Sequence, residues 1–208
     1  MNHAKLHVIS TGKQKPELLA EIIGSIHPYI DAIHIREKTK TAKEIYELVR
    51  LLLDKKVPLS KIIINDRVDV AYVSKVGGVQ LAYHSLSTDI VKKQFPSLRV
   101  GCSIHSVDEA RFAREQGADY VIYGHVFPTQ SKQGLVAKGL ERLEIVSNSV
   151  VIPVFAIGGI TPSNVREVIK AGAKGIAVMS GILEAENPLE AVKEYNQNLK
   201  EAFDERSV

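Results

Sequence analysis

The 208-residue sequence has a single cysteine, Cys102, and no tryptophan. One thiol cannot close an intrachain disulfide, so a disulfide-stapled scaffold is excluded and a reducing compartment, the cytoplasm, is expected. No run of the sequence approaches the roughly 20 apolar residues of a membrane span. The opening MNHAKLHVISTGKQKPE lacks the apolar core of a secretory leader, so no membrane partner is expected. An excess of one charge is missing too. Lys and Arg number 27 against 24 Asp and Glu, a net of +3, too little to argue for nucleic acid. No GxGxxG motif follows the first apolar run, which weakens the case for a dinucleotide-binding sheet. No linker, low-complexity tract or charge block divides the chain, and residues 1–208 are read as a single domain.

What is present is a rhythm of short Val- and Ile-rich runs. They fall at Leu6–Ser10, Ala32–Arg36, Lys61–Asn65, Gly78–Leu81, Leu98–Cys102, Tyr120–Tyr123, Val151–Ile157 and Gly175–Met179. Most do not alternate with polar residues, as expected of parallel strands buried on both faces. Amphipathic stretches at Glu17–Ile26 and Ala42–Leu53 lie between them, and further helices are expected at Ser106–Gln116, Pro162–Ala171 and Asn187–Leu199. SVDE at Ser106 has the form of a capping box, and Thr161 and Asn187 each precede a proline suited to the first helical position. Gly117 and Gly172 mark helix ends. Eight strands alternating with helices, with no sign of a second domain, predict an α/β fold: a single (β/α)8 TIM barrel rather than an open doubly wound sheet.

Chemistry in such a barrel sits where strands end and βα loops begin. The sequence places Arg36 and Lys38 after strand two, Asn65 and Asp66 after strand three, and Tyr83, His84 and Ser85 after strand four. Ser103 and His105 follow strand five. Gly124 and His125 follow strand six, with Thr129 and Lys132 in the long loop GHVFPTQSKQG. Arg36 and Lys38, at alternate positions, could point at one anion. Asp66 could instead cap the next helix, and Ser103 and His105 could cap the helix near Ser106. Gly158 and Gly159 follow strand seven, and Met179, Ser180 and Gly181 follow strand eight. Glycine turns and a short helix start at these two positions suit a phosphate. Histidine ordinarily titrates near neutral pH, so a rim histidine such as His125 suits proton transfer.

The motifs IREK, INDRVDVA, GVQL, GCSIHSVDEA, ADYVIYGHVFPTQSK, AIGGITPSNV and AGAKGIAVMSGI resemble the thiamin phosphate synthase superfamily from about Ile33 to Ile182. That superfamily has a barrel fold and thiazole phosphate ligands. It contains the synthase and a close relative, the thiazole tautomerase (TenI-type). Three positions depart from the synthase pattern. His125 replaces the proline of GPxFPTxTK, His34 replaces a glutamine, and the second of two magnesium-binding aspartates would fall near Ser85, whereas Asp66 matches the first.

These departures favour the tautomerase. The resemblance then implies aromatisation of a carboxylated dihydrothiazole carrying an exocyclic alkene and an ethyl phosphate, with no redox cofactor and no metal. His125 is the implied acid–base group. Gly158, Gly159, Met179, Ser180 and Gly181 would hold the phosphate, and Arg36 and Lys38 the ring carboxylate. Asn65, Ser103, His105, Gly124, Thr129 and Lys132 would complete the pocket. A magnesium-dependent synthase and a non-catalytic thiazole phosphate sensor remain as alternatives. Barrels of this size often pair, which leaves a homodimer open.

Overall fold

In the computed structural model, which describes residues 3–206, the Val- and Ile-rich runs form eight strands. They are β1 Lys5–Ile9, β2 Ala32–Ile35, β3 Ile62–Asn65, β4 Gly78–Leu81, β5 Arg99–Ile104, β6 Tyr120–Gly124, β7 Val154–Ile157 and β8 Gly175–Val178. Every neighbouring pair is parallel, and β1 pairs with both β2 and β8, so the sheet closes on itself. The fold is a (β/α)8 TIM barrel. Residues 1, 2, 207 and 208 of the expected single domain lie outside the described residues.

The connecting helices are α1 Pro16–Ile26, α2 Ala42–Asp54, α3 Val68–Val73, α4 Thr88–Gln94, α5 Val107–Glu115, α6 Gly139–Ser149, α7 Val165–Lys170, α8 Ser180–Leu183 and α9 Pro188–Arg206. Their starts follow local chemistry. Ser106 Oγ accepts from Glu109 N–H at 3.1 Å, as the SVDE motif predicts. Thr41 and Glu44 form a reciprocal capping box at the start of α2. Asn187 accepts from Glu190 N–H at 3.3 Å, with Pro188 in the first helical position. The strand over 151–157 is shorter than the sequence suggests. It begins only after Pro153, which has no N–H for a ladder, and Val151 is exposed.

The strands that read as continuous apolar runs divide into two populations. Leu6, Val8, Ile33, Ile35, Val79, Val100, Val121 and Ile176 pack outward into the main core against the helices. Ile9, Tyr120, Ile122, Phe155 and Ala177 form a second cluster, with Ile157 and Met179 packed against it. Alternate strand positions face opposite sides, so this second set fills the barrel interior. It also holds polar groups: His7 stacks on Phe155 with ring centroids 4.1 Å apart, and Tyr120 meets both His7 and His34 edge-on.

Candidate active site

The sequence-predicted residues gather at the C-terminal ends of the strands. Arg36 directly follows β2 and is partly buried, and its N–H donates to Ser10 Oγ beyond β1 at 2.8 Å. Asn65 ends β3, and Ser103 lies on β5, where its Oγ accepts from Gln80 Nε2 at 3.0 Å. Neither Ser103 nor His105 caps α5; that role belongs to Ser106. Met179 follows β8, and Ser180 and Gly181 open α8. Lys38 and Lys132 are exposed, and Thr129 precedes a single 3-10 turn at Gln130–Lys132. Because β2 ends at Ile35, the strand alternation that would pair Lys38 with Arg36 does not extend to Lys38, which sits in a turn.

His125 is held closely at this rim, with 9% of its surface exposed. It follows Gly124 through a cis peptide bond. The base of its loop is tied on both sides. Val126 and Phe127 N–H donate to the Ile157 and Gly158 carbonyls at 2.9 and 3.0 Å, and Lys138 and Gly139 N–H donate to the His125 and Val126 carbonyls at 3.0 Å each. His125 Nε2 lies 3.3 Å from the Leu135 carbonyl. A carbonyl only accepts, so in a neutral ring the contact places the proton on Nε2 and the lone pair on Nδ1. His105 Nδ1 meets the Gly124 carbonyl at 2.9 Å and anchors the residue before His125.

The double glycine after β7 serves this histidine directly. Gly158 has φ +100, and a Cβ there would lie 2.3 Å from His125 Cβ; Gly159, at φ +65, would press on the Pro128 carbonyl at 2.4 Å. Both positions need glycine for conformation and for close approach. Gly158→Ala is expected to push the imidazole aside and to lower turnover by roughly tenfold or more, since misplacing a catalytic group by about 1 Å can cost up to ~10²-fold. Steady-state kinetics beside a thermal melt check this; unchanged turnover in a folded variant would remove the coupling. Gly181 has a packing role as well: a Cβ there would meet Tyr195 Oη of α9 at 2.6 Å.

Asp66 does not cap α3. It sits at φ +67, and its Oδ1 accepts from Ser85 Oγ at 2.7 Å, with His84 Nε2 3.9 Å away. Ser85 Oγ in turn accepts from Ala82 N–H at 2.9 Å. Magnesium usually takes one or two carboxylates together with substrate phosphates, in near-octahedral oxygen geometry. Here one carboxylate already has an oxygen engaged by a serine. Among the described residues no three His, Cys, Asp or Glu side chains are grouped to hold a metal. This donor set does not fit the two-aspartate magnesium site of a thiamin phosphate synthase.

Sequence reasoning singled out His34 only as a departure from the synthase pattern and missed the other groups under the rim. His7, His34 and Gln80 are buried in the interior, and Arg99 stands over the Tyr120 ring at 4.9 Å. Burial, with Arg99 nearby, lowers the His34 pKa to about 3; His7 is lowered by burial, by His34 and by Arg99. Burial raises that of the Tyr120 phenol. The available signal was a lone polar residue inside a Val- or Ile-rich run, as in HVI, IHI and VQL. Two hollows, of about 470 and 350 Å³, lie elsewhere, beside Tyr72 and Leu98 and beside Tyr29 and Lys193, and contain none of the rim residues.

The family model described as thiamine monophosphate synthase matches residues 6–182. The chain belongs to this family. It thereby joins the enzymes of thiamin biosynthesis. The thiamine-phosphate synthase of Pyrococcus furiosus is 37% identical over 203 residues, covering 97% of this chain and 98% of that protein. That of Chlorobium luteolum is 39% identical over 168 residues, covering 77% of each. Among solved structures, thiamine phosphate pyrophosphorylase from Pyrococcus furiosus superposes with a TM-score of 0.83 at 36% identity, covering 97% and 98% of the two chains. These relatives carry the synthase name rather than that of the tautomerase which the sequence departures favour. Among the described residues no helix is long and apolar enough to cross a membrane.

Proposed function

We propose that this family member is a thiazole tautomerase. The observation that carries the reading is the Ser85–Asp66 hydrogen bond, which stands where a synthase would need its second metal-binding acid. The reaction asks for a positioned base and a closed pocket. A base takes the proton from ring carbon C2, and the electrons of that C–H bond enter the ring. Electrons move through the ring and onto the exocyclic carbon, which takes a proton as its double bond gives way to one inside the ring. Nδ1 of His125 takes the first proton and returns one to the exocyclic carbon, while its Nε2–H stays on the Leu135 carbonyl. Arg36 offers a guanidinium fork to the ring carboxylate. The turns at Gly158–Gly159 and Met179–Gly181 receive the phosphate, with Asn65, Ser103, His105, Thr129 and Lys132 around the ligand.

The second reading is thiamin phosphate synthase, favoured by the names of the relatives. The two reactions separate on metal dependence. Under the tautomerase reading, the dihydrothiazole phosphate aromatises in EDTA at least ~10²-fold faster than in buffer, the low end of general acid–base catalysis. With magnesium, the pyrimidine pyrophosphate and the carboxythiazole phosphate, no thiamin phosphate forms. Thiamin phosphate formed with magnesium, and no acceleration in EDTA, would replace the tautomerase with the synthase.

A further inference from the structure

Two buried polar atoms stand without a hydrogen-bond partner just below the rim: Nδ1 of His34 and Oδ1 of Asn65. The register pairs His34 of β2 with Ile63 of β3. Asn65 is therefore two residues further along the same face of the adjacent strand. The pair falls outside strict hydrogen-bond geometry, yet Asn65 favours a proton on the His34 ring. Only its amide oxygen can do that. On the other side of the ring, His34 Nε2 lies 3.0 Å from His7 Nδ1.

Both rings are fully buried, with Arg99 nearby and Lys5 beside His7, and each is neutral at pH 7. A neutral imidazole has one N–H donor and one lone pair, so a single choice orders the whole chain. With its proton on Nδ1, His34 donates toward Asn65 Oδ1 and accepts the Nδ1–H of His7 on Nε2. With its proton on Nε2, the His34 Nδ1 lone pair would face the amide oxygen as it stands, two acceptors opposed in a dry interior, and only an amide turned to offer its N–H would relieve this.

We infer that His7 and His34 form a buried relay that orients the Asn65 amide, so that β3 presents an N–H donor to the ligand rather than a carbonyl. The group it takes is an anion or a lone pair, and the ring carboxylate of the thiazole fits. His7 and His34 are positioning residues, and only the identity of the ligand rests on the tautomerase reading.

The test is a ring-nitrogen NMR spectrum of the full-length protein with 15N-labelled histidine. His7 and His34, whose pKa values burial lowers, are expected to keep constant shifts between about pH 5 and 8. Both are expected to carry the proton on Nδ1; a proton on Nε2 of His34 would overturn the relay. Asn65→Asp keeps an acceptor for His34 but faces the ligand with oxygen. Its affinity for the carboxythiazole phosphate is expected to fall roughly tenfold or more, with a smaller change in kcat. Unchanged affinity would overturn the donor role. If the wild type shows both Nδ1 protons but binds no carboxythiazole phosphate, the relay stands and the tautomerase reading fails.

Discussion

Replacing His125 with glutamine is expected to lower turnover by about 10²–10⁴-fold, the usual worth of a general acid–base group. Glutamine can still donate to the Leu135 carbonyl and fill much of the space between Gly158 and the loop. What it cannot do is accept and return a proton near neutral pH. Affinity for the aromatic product is therefore expected to stay within about tenfold of the wild type, because the phosphate and carboxylate contacts lie on other strands. Single-turnover kinetics beside product titration separate the two quantities. Turnover within a few-fold of the wild type would remove His125 from the chemistry. A loss confined to binding would make it a ligand contact only.

The second large effect concerns acid. His34 titrates at about 3 in the folded barrel and His7 below its ordinary value, whereas both return to about 6.5 in the unfolded chain. Below pH 6.5 the unfolded state therefore binds protons that the folded state refuses. Stability is fully present above that pH and is lost as the pH falls toward 3. Each such proton costs roughly 1.4 kcal/mol per pH unit. One to two of them make the loss between pH 6.5 and 5 roughly 2–4 kcal/mol, before carboxylates begin to titrate. Urea unfolding across this window measures it. A flat profile would mean that the interior histidines take up protons without unfolding.

Much of the barrel could be read from the residues because its signals are local. Val- and Ile-rich runs between glycines and prolines marked the strands, and Ser106 and Asn187 marked helix starts that the structure repeats. TAKE at Thr41 carries the same capping information as SVDE. The rim was legible as a set, since polar residues cluster where strands end. Its internal relations were not. Nothing local says that Gly158 leaves room for His125, because that contact joins β6 to β7. Nor does Asp66 announce Ser85, 19 positions away, as its partner. His7, and the inward place of His34, were hidden for another reason. One polar residue in an apolar run barely changes its hydropathy, and only the pleat decides whether it faces helices or the barrel axis. The choice between tautomerase and synthase rests on a few side chains of a shared scaffold, which overall identity does not weigh.

The closed ladder joining β1 to β8 has a consequence for how the molecule breathes. An open sheet can fray from an edge strand, but here each strand is held on both sides, and parting any one breaks two ladders at once. Amide protons of all eight strands should exchange with solvent as one slow group. Those at the tip of the β6–α6 loop, around the exposed Val136, should exchange freely. The barrel thus behaves as a stiff ring with pliant margins, and differences in reactivity among such rings can accumulate at the margin without loosening the wall beneath.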